Sequence, residues 1–138
     1  MVDYKKRIEV EYEAIEQTLS YLPKKPLFNL SELEIAGTAT LLHNFYNGIE
    51  NIIKQIFLSK SIEIPTGNAW HQQLLLLAIK KNIISKELAD DLKEYLSFRH
   101  FFTHSYALDL YPDRMEHLVN NVNITFDKFK KEINILSK

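Results

Sequence analysis

Apolar residues recur at spacings of three and four along most of this chain, the repeat that places side chains on one face of an α-helix. Turn and capping residues divide the sequence into five helical stretches, and no internal repeat, low-complexity tract or long linker separates them. The first stripe follows a heptad repeat, which favours near-antiparallel helix packing. The sequence therefore predicts an all-α fold, an up-and-down four-helix bundle with one additional short helix.

Prolines and capping residues set the boundaries of the predicted helices. The pair Ser31 and Glu34 forms a capping-box pattern at the start of the long second helix, and Asp113 with Glu116 repeats that pattern before the fifth. Ser85 is placed to cap the fourth helix. The predicted spans are about Asp3–Leu22, Ser31–Ser59, Ala69–Lys81, Ser85 to a bend between Thr103 and Pro112, and Asp113 onward.

Composition limits the class of protein. The chain has 138 residues, 46% apolar and 25% charged, which suffices for one core and is too little for two. It has no cysteine, which excludes disulfides and thiolate metal sites. The charged start and the short apolar run Leu74–Ile79 predict no signal peptide or membrane span. We expect a single soluble, cytoplasmic domain over residues 1–138. Its net charge of -1 argues against a general nucleic-acid coat protein, which would need a strongly basic face.

An arginine interrupts the apolar stripe of the predicted fourth helix. The stripe consists of Leu88, Leu92, Tyr95, Arg99, Phe102 and Tyr106. A guanidinium keeps its proton and is costly to bury unpaired, so Arg99 requires a carboxylate partner or an anionic ligand. An ion pair between Arg99 and a carboxylate such as Glu50 or Asp109, with no open cleft, would favour a plain helical interaction protein.

Two histidines and a tyrosine follow this arginine closely. The pattern is Arg99, four residues, His104, one residue, Tyr106, with the polar His100 directly after the arginine. It resembles the signature of HEPN-domain ribonucleases, and the closing tyrosine resembles that of the HepT-like toxins of HEPN/MNT toxin–antitoxin pairs. The stretches Phe45–Ile53 and Trp70–Leu75 also resemble HepT-type sequence.

The resemblance implies a HEPN-like bundle that acts as an RNA endonuclease toxin, without cofactor or metal. It also implies a homodimer whose two motifs line one cleft, and a nucleotidyltransferase-type antitoxin that transfers AMP to Tyr106. For an arbitrary tyrosine on such a stripe, a core or rim position is the simpler interpretation. The alternative function is a catalytically inert HEPN module that binds nucleotide or scaffolds a nucleotidyltransferase partner.

The residue types fit RNA cleavage by the neighbouring 2′-hydroxyl. Arg99 offers planar, bidentate donors to phosphate oxygens, and His104 is the candidate for proton transfer. His100 is a supporting candidate that would orient substrate or supply a second proton. Since Arg99 and His104 point about 140° apart around an ideal helix, a straight helix cannot direct both at one phosphate. The residues Phe98, Phe101 and Phe102 fit either a dimer interface or the core.

Several other residues have simpler structural interpretations. Gly48 inside the second helix indicates a close helix approach, and Trp70 a core anchor. His71 is expected in a capping or surface role more than a catalytic one. His100 and His104 have the spacing of two metal ligands, but Phe101 stands where a zinc protease needs glutamate, and no metal site is predicted. His43 and His117 belong to no recognisable cluster.

Overall fold

The computed structural model describes residues 2–104 and 112–136, and within them every regular element is helical. Its helices are α1 (Tyr4–Ser20), α2 (Glu32–Ser59), α3 (Trp70–Lys80), α4 (Lys86–His104) and α5 (Pro112–Leu136), with a short 3-10 turn at Leu27–Asn29. The long α2 packs against each of the other four helices. The predicted all-α bundle with one additional short helix, α3, is confirmed.

Helix α2 follows the sequence prediction closely. The Ser31 hydroxyl accepts a hydrogen bond from the backbone N–H of Glu34 at 3.1 Å, and the Glu34 carboxylate accepts one from the Ser31 N–H at 3.0 Å. These bonds to Ser31 lower the pKa of Glu34. The helical repeat predicts one apolar stripe along this helix, and all of its members are buried: Leu42, Phe45, Ile49, Ile52 and Ile56. The capping box sets where α2 begins, and the buried stripe is typical of the central helix of a bundle.

Gly48 lies where α2 packs closely against Ile15 of α1. A Cβ atom at this position would come within 2.6 Å of Ile15 Cγ1 and 2.8 Å of Ile15 Cδ1, closer than side-chain atoms pack. Ile15 is fully buried and belongs to the heptad stripe of α1. The predicted structural role of Gly48 in helix approach is confirmed.

Two local predictions need correction. Helix α5 begins at Pro112, so Asp113 lies within its first turn rather than at its N-cap; proline suits the first helical position because it lacks an N–H. The Glu116 carboxylate therefore serves another role and accepts a hydrogen bond from the Leu27 N–H at 3.3 Å. The run of four leucines Leu74–Leu77 predicts burial on more than one side of α3, and the structure buries Leu74 and Leu75 but leaves Leu76 55% exposed.

Helix α4 begins as predicted and carries the arginine motif at its other end. The Leu88 N–H donates to the Ser85 hydroxyl at 3.0 Å, and the Ser85 N–H donates to Glu132 of α5 at 2.6 Å. The helix continues to His104. The predicted bend between Thr103 and Pro112 falls largely on residues 105–111, outside the described residues. Phe98 is buried, and Phe101 and Phe102 pack partly buried against the core.

Candidate active site

Arg99 is partly buried at the contact between α4 and α2. Its Nε donates a hydrogen bond to the side-chain oxygen of Asn47 at 3.2 Å. Within the described residues, no carboxylate lies within ion-pair distance of Arg99, since Glu50 is paired with His71 instead. The other carboxylate considered from the sequence, Asp109, lies outside those residues. The guanidinium is thus held by a neutral amide and keeps its charge available for an anion.

Glu50 is a buried carboxylate with one histidine partner. It is 2% exposed, and its Oε2 lies 2.7 Å from Nδ1 of His71 on α3. The Trp70 ring lies against the His71 ring, with 3.6 Å between centroids, and Lys54 Nζ lies 4.1 Å from the centroid of the Trp70 ring. A buried carboxylate must be paired, so this contact joins α2 to α3 and fixes the His71 ring.

Two neutral aromatic groups on α2 flank the same region. Burial, followed by the positive charge of Arg99, lowers the pKa of His43, whose ring packs 5.2 Å from that of Phe102. Burial, followed by the negative charge of Glu50, raises the pKa of Tyr46. Both groups are therefore held in their neutral forms near neutral pH.

An open cavity of about 640 Å³ lies between the start of α3 and the C-terminal half of α4. Leu75 and Leu96 form part of its apolar wall, and the side chains of Lys93, Arg99 and His100 contribute its positive and titratable groups. No carboxylate is among the described residues that line it. A lining of this kind suits an anionic ligand with an apolar or aromatic portion.

The structure brings some of the predicted site residues together and separates others. Arg99, His100 and His71 line the cavity, whereas His104 does not. The His104 ring instead lies 4.5 Å from that of His100, one helical turn earlier. This separation agrees with the angular argument, because α4 is helical through His104. Tyr106 lies outside the described residues.

Two interpretations of histidines in the sequence are wrong. The side chain of His71 is 19% exposed and makes no capping hydrogen bond at the start of α3, so the predicted surface or capping role does not apply. His43 belongs to the polar cluster around Arg99 rather than to none. Within the described residues, no three side chains of the metal-binding types lie together as a cation site.

From the α2 side of the site, sequence reasoning named only Glu50, and with the wrong partner, although a signal for the other residues was present. His43, Asn47, Glu50 and Lys54 recur at spacings of four, three and four, which forms a polar stripe beside the apolar stripe of the same helix. A polar stripe on a helix that is otherwise buried must meet polar partners. Asn47 and Glu50 also lie within the stretch that resembles HepT-type sequence. Spacing alone does not identify Arg99 and His71 as those partners.

A helical bundle with an Arg-x4-His motif on its fourth helix is the arrangement of the HEPN class. A family model described as HepT-like protein matches residues 37–138, which contain every site residue named above. The chain therefore belongs to the HepT-like family, a HEPN-type ribonuclease family whose members generally pair with a nucleotidyltransferase antitoxin. No curated protein and no solved structure matches the chain.

Of the helices described, none combines the length and apolar character needed to cross a membrane.

Proposed function

We propose that this protein is a metal-independent RNA endonuclease, the toxin of a HEPN/MNT pair, and that it acts in the cytoplasm as a homodimer. The observation that carries the proposal is Arg99, whose guanidinium lines an open cavity without a carboxylate partner among the described residues. A permanently charged group in that position is suited to bind a phosphate. Membership of the HepT-like family supports the same function.

The proposed reaction uses the substrate's own 2′-hydroxyl as nucleophile. The 2′-oxygen loses its proton and bonds to phosphorus, the bond from phosphorus to the 5′-oxygen breaks, and that oxygen is protonated as it departs. Arg99 stabilises the pentacoordinate phosphate, and His104 takes part in proton transfer. The products are a 2′,3′-cyclic phosphate and a free 5′-hydroxyl. His100, adjacent to both residues, is the supporting candidate that orients substrate or supplies a second proton.

Further features of the cavity fit an RNA substrate. Lys93 adds a second positive charge on the α4 side, and its exposed ion pair with Asp90 is long at 3.8 Å. The apolar wall offers a surface for a nucleobase, while Gln72 and Asn68 add hydrogen-bonding groups at the α3 side. This local patch would supply the positive charge for RNA binding in a chain whose net charge is -1.

A second candidate function follows from the position of His104. Because His104 does not line the cavity that Arg99 lines, a single protomer has a charged pocket to which His104 contributes no side chain. Such a pocket suits a non-catalytic HEPN module that binds nucleotide or scaffolds a nucleotidyltransferase. This candidate requires nucleotide binding without RNA cleavage.

The decisive experiment is RNA cleavage by purified protein in the presence of EDTA. We expect fragments that end in 2′,3′-cyclic phosphate and begin with a 5′-hydroxyl, because no metal is needed for attack by the 2′-hydroxyl. An all-2′-deoxy oligonucleotide of the same sequence is the matched control and should stay intact. Nucleotide binding without cleavage of any cellular RNA would reject the nuclease in favour of the scaffold.

Regulation by AMP transfer to Tyr106 is part of the proposal. We expect Tyr106→Phe to keep most nuclease activity and to gain no AMP mass after incubation with the cognate transferase and ATP. An AMP group attached so close to Arg99 in sequence would place its phosphate where the RNA backbone binds and repel it. Intact-mass spectrometry measures the modification, and a cleavage assay after incubation measures its effect.

Tyr111→Phe is the matched control for this prediction, since it removes the same hydroxyl from the next tyrosine along the chain. It should be modified and inhibited like the wild type. Continued AMP labelling of Tyr106→Phe would place the acceptor elsewhere, and loss of cleavage in that variant would give Tyr106 a catalytic role.

A further inference from the structure

The cavity contains a histidine that lies outside the Arg-x4-His motif. His71 of α3 lines it together with Arg99 and His100, so two helices contribute titratable groups to one space. The His71 side chain is largely buried, and the Trp70 ring lies against it at a tilt of 31° between the ring planes. This histidine is therefore fixed in place by its surroundings but accessible from the cavity.

The hydrogen bond to Glu50 determines which nitrogen of His71 can exchange a proton. An ionised carboxylate only accepts hydrogen bonds, so Nδ1 of His71 carries a proton and donates it to Glu50 over 2.7 Å. In the neutral ring this leaves the lone pair on Nε2, which has no hydrogen-bond partner among the described residues. Serine hydrolases use the same arrangement, in which a buried carboxylate fixes the tautomer of the base and stabilises the imidazolium that forms.

We infer that His71 is the general base of this active site and that Glu50 is its positioning residue. The inference rests on the proposed ribonuclease function and deepens it. Nε2 of His71 takes the proton of the 2′-hydroxyl as the 2′-oxygen bonds to phosphorus. Since His104 does not line the cavity of its own protomer, the departing 5′-oxygen receives a proton from the His104 imidazolium of the second protomer in the proposed homodimer. One histidine then gains the proton that the other loses. Water returns both histidines to their starting states.

The chain contains a matched histidine–glutamate pair away from the cavity. His117 Nε2 on α5 lies 2.7 Å from Glu94 Oε2 on α4, the same separation as between His71 and Glu50. Both side chains of this second pair are more than half exposed, and neither lines the cavity. Changes at His117 therefore report the effect of losing such a pair without loss of a group at the active site.

The first test is His71→Asn in the EDTA cleavage assay under single-turnover conditions. The asparagine amide can donate to Glu50 in place of Nδ1, but it has no nitrogen that accepts a proton. We expect the cleavage rate to fall about 10²–10⁴-fold, the usual contribution of a general base. Binding of a 2′-deoxy substrate analogue should be unchanged, and His117→Asn should cleave as the wild type does.

The role of Glu50 is tested by Glu50→Gln. Glutamine keeps an oxygen that accepts from Nδ1 but removes the charge that stabilises the imidazolium, so we expect a smaller fall in rate with unchanged analogue binding. That effect should disappear when His71→Asn is already present, because Glu50 acts through His71. Equal effects of Glu50→Gln in both backgrounds would show that Glu50 has only a structural role and would overturn its assignment.

A substrate whose leaving group is nitrophenolate distinguishes base from acid. Its departure needs no proton, so loss of the acid is tolerated whereas loss of the base is not. We expect His71→Asn to be slow on this substrate and His104→Ala to recover most of its rate. A wild-type rate for His71→Asn on this substrate, with a slow rate on RNA, would make His71 the acid and overturn the inference.

The remaining outcomes distinguish failure of the proposed ribonuclease function from failure of the assignment of His71 as its general base. If wild-type protein cleaves RNA and Arg99→Ala does not, but His71→Asn cleaves normally, the ribonuclease stands and the inference is rejected. If wild-type protein cleaves no RNA, both are rejected. Circular dichroism and thermal unfolding verify that each variant is folded, and His71→Gln, which also keeps an amide donor, replaces the asparagine variant if that protein unfolds.

Discussion

Arg99→Ala is expected to lower the rate of RNA cleavage by at least about a hundredfold, because it removes the charged donors that stabilise the transition-state phosphate. The loss should be mainly in the chemical step, with a smaller loss of RNA affinity. Arg99→Lys keeps the positive charge without the planar pair of donors, so we expect an intermediate rate. Single-turnover cleavage of a labelled RNA in EDTA measures both variants.

The same substitutions should leave the fold intact. Arg99 is partly exposed, and its hydrogen bond with Asn47 joins two helices that also pack through a large apolar core. Arg7→Ala on the exposed face of α1 is the matched control, since it removes an identical side chain that does not line the cavity, and it should cleave RNA normally. Wild-type cleavage by folded Arg99→Ala would reject the assignment of the phosphate site.

The sequence predicted the fold well because its signals were local. The Ser31–Glu34 capping box, the stripe of α2 and the close approach at Gly48 each depend on residues within a few turns of one helix. Prediction failed where another element decided the outcome. Glu116 bonds to the backbone of Leu27 far away in sequence, and Leu76 lies beside a cavity that no pattern within α3 reveals.

The site was only half predictable for the same reason. Arg99 stood out because a charge on an apolar stripe is unusual within its own helix. The sequence singled out Glu50 only as a possible partner of Arg99 and gave His71 a capping or surface role. Their actual pairing depends on a contact between α2 and α3 across 21 positions of sequence. The rotation of α3 about its axis, which turns His71 toward Glu50, depends on packing that helical periodicity does not encode.

The position of His104 determines how a complete site can be assembled. Arg99 lines the cavity, and His104 lies off it at the last residue of the described part of α4. One helix cannot direct both side chains at the same phosphate without distortion. In a two-fold dimer with the ends of α4 near the axis, however, His104 of each protomer could reach the cavity of its partner. Each active site would then need one residue from each chain.

Heterodimers with different substitutions in their two chains distinguish an active site shared between protomers from one contained in a single protomer. The two arrangements predict opposite outcomes. We expect a purified heterodimer of an Arg99→Ala chain and a His104→Ala chain to cleave RNA at about half the wild-type rate, although each homodimer is inactive, because one of its two equivalent sites is intact. A heterodimer of wild type with the doubly substituted chain should be inactive, since each site then lacks one residue. Two affinity tags and sequential purification isolate these species, and light scattering verifies that they are dimers.

If Arg99 and His104 instead act within one protomer, the first heterodimer would be inactive and the second would keep about half the activity, because one chain would carry a complete site. A monomeric but active enzyme would require a distorted α4 and would exclude the shared site.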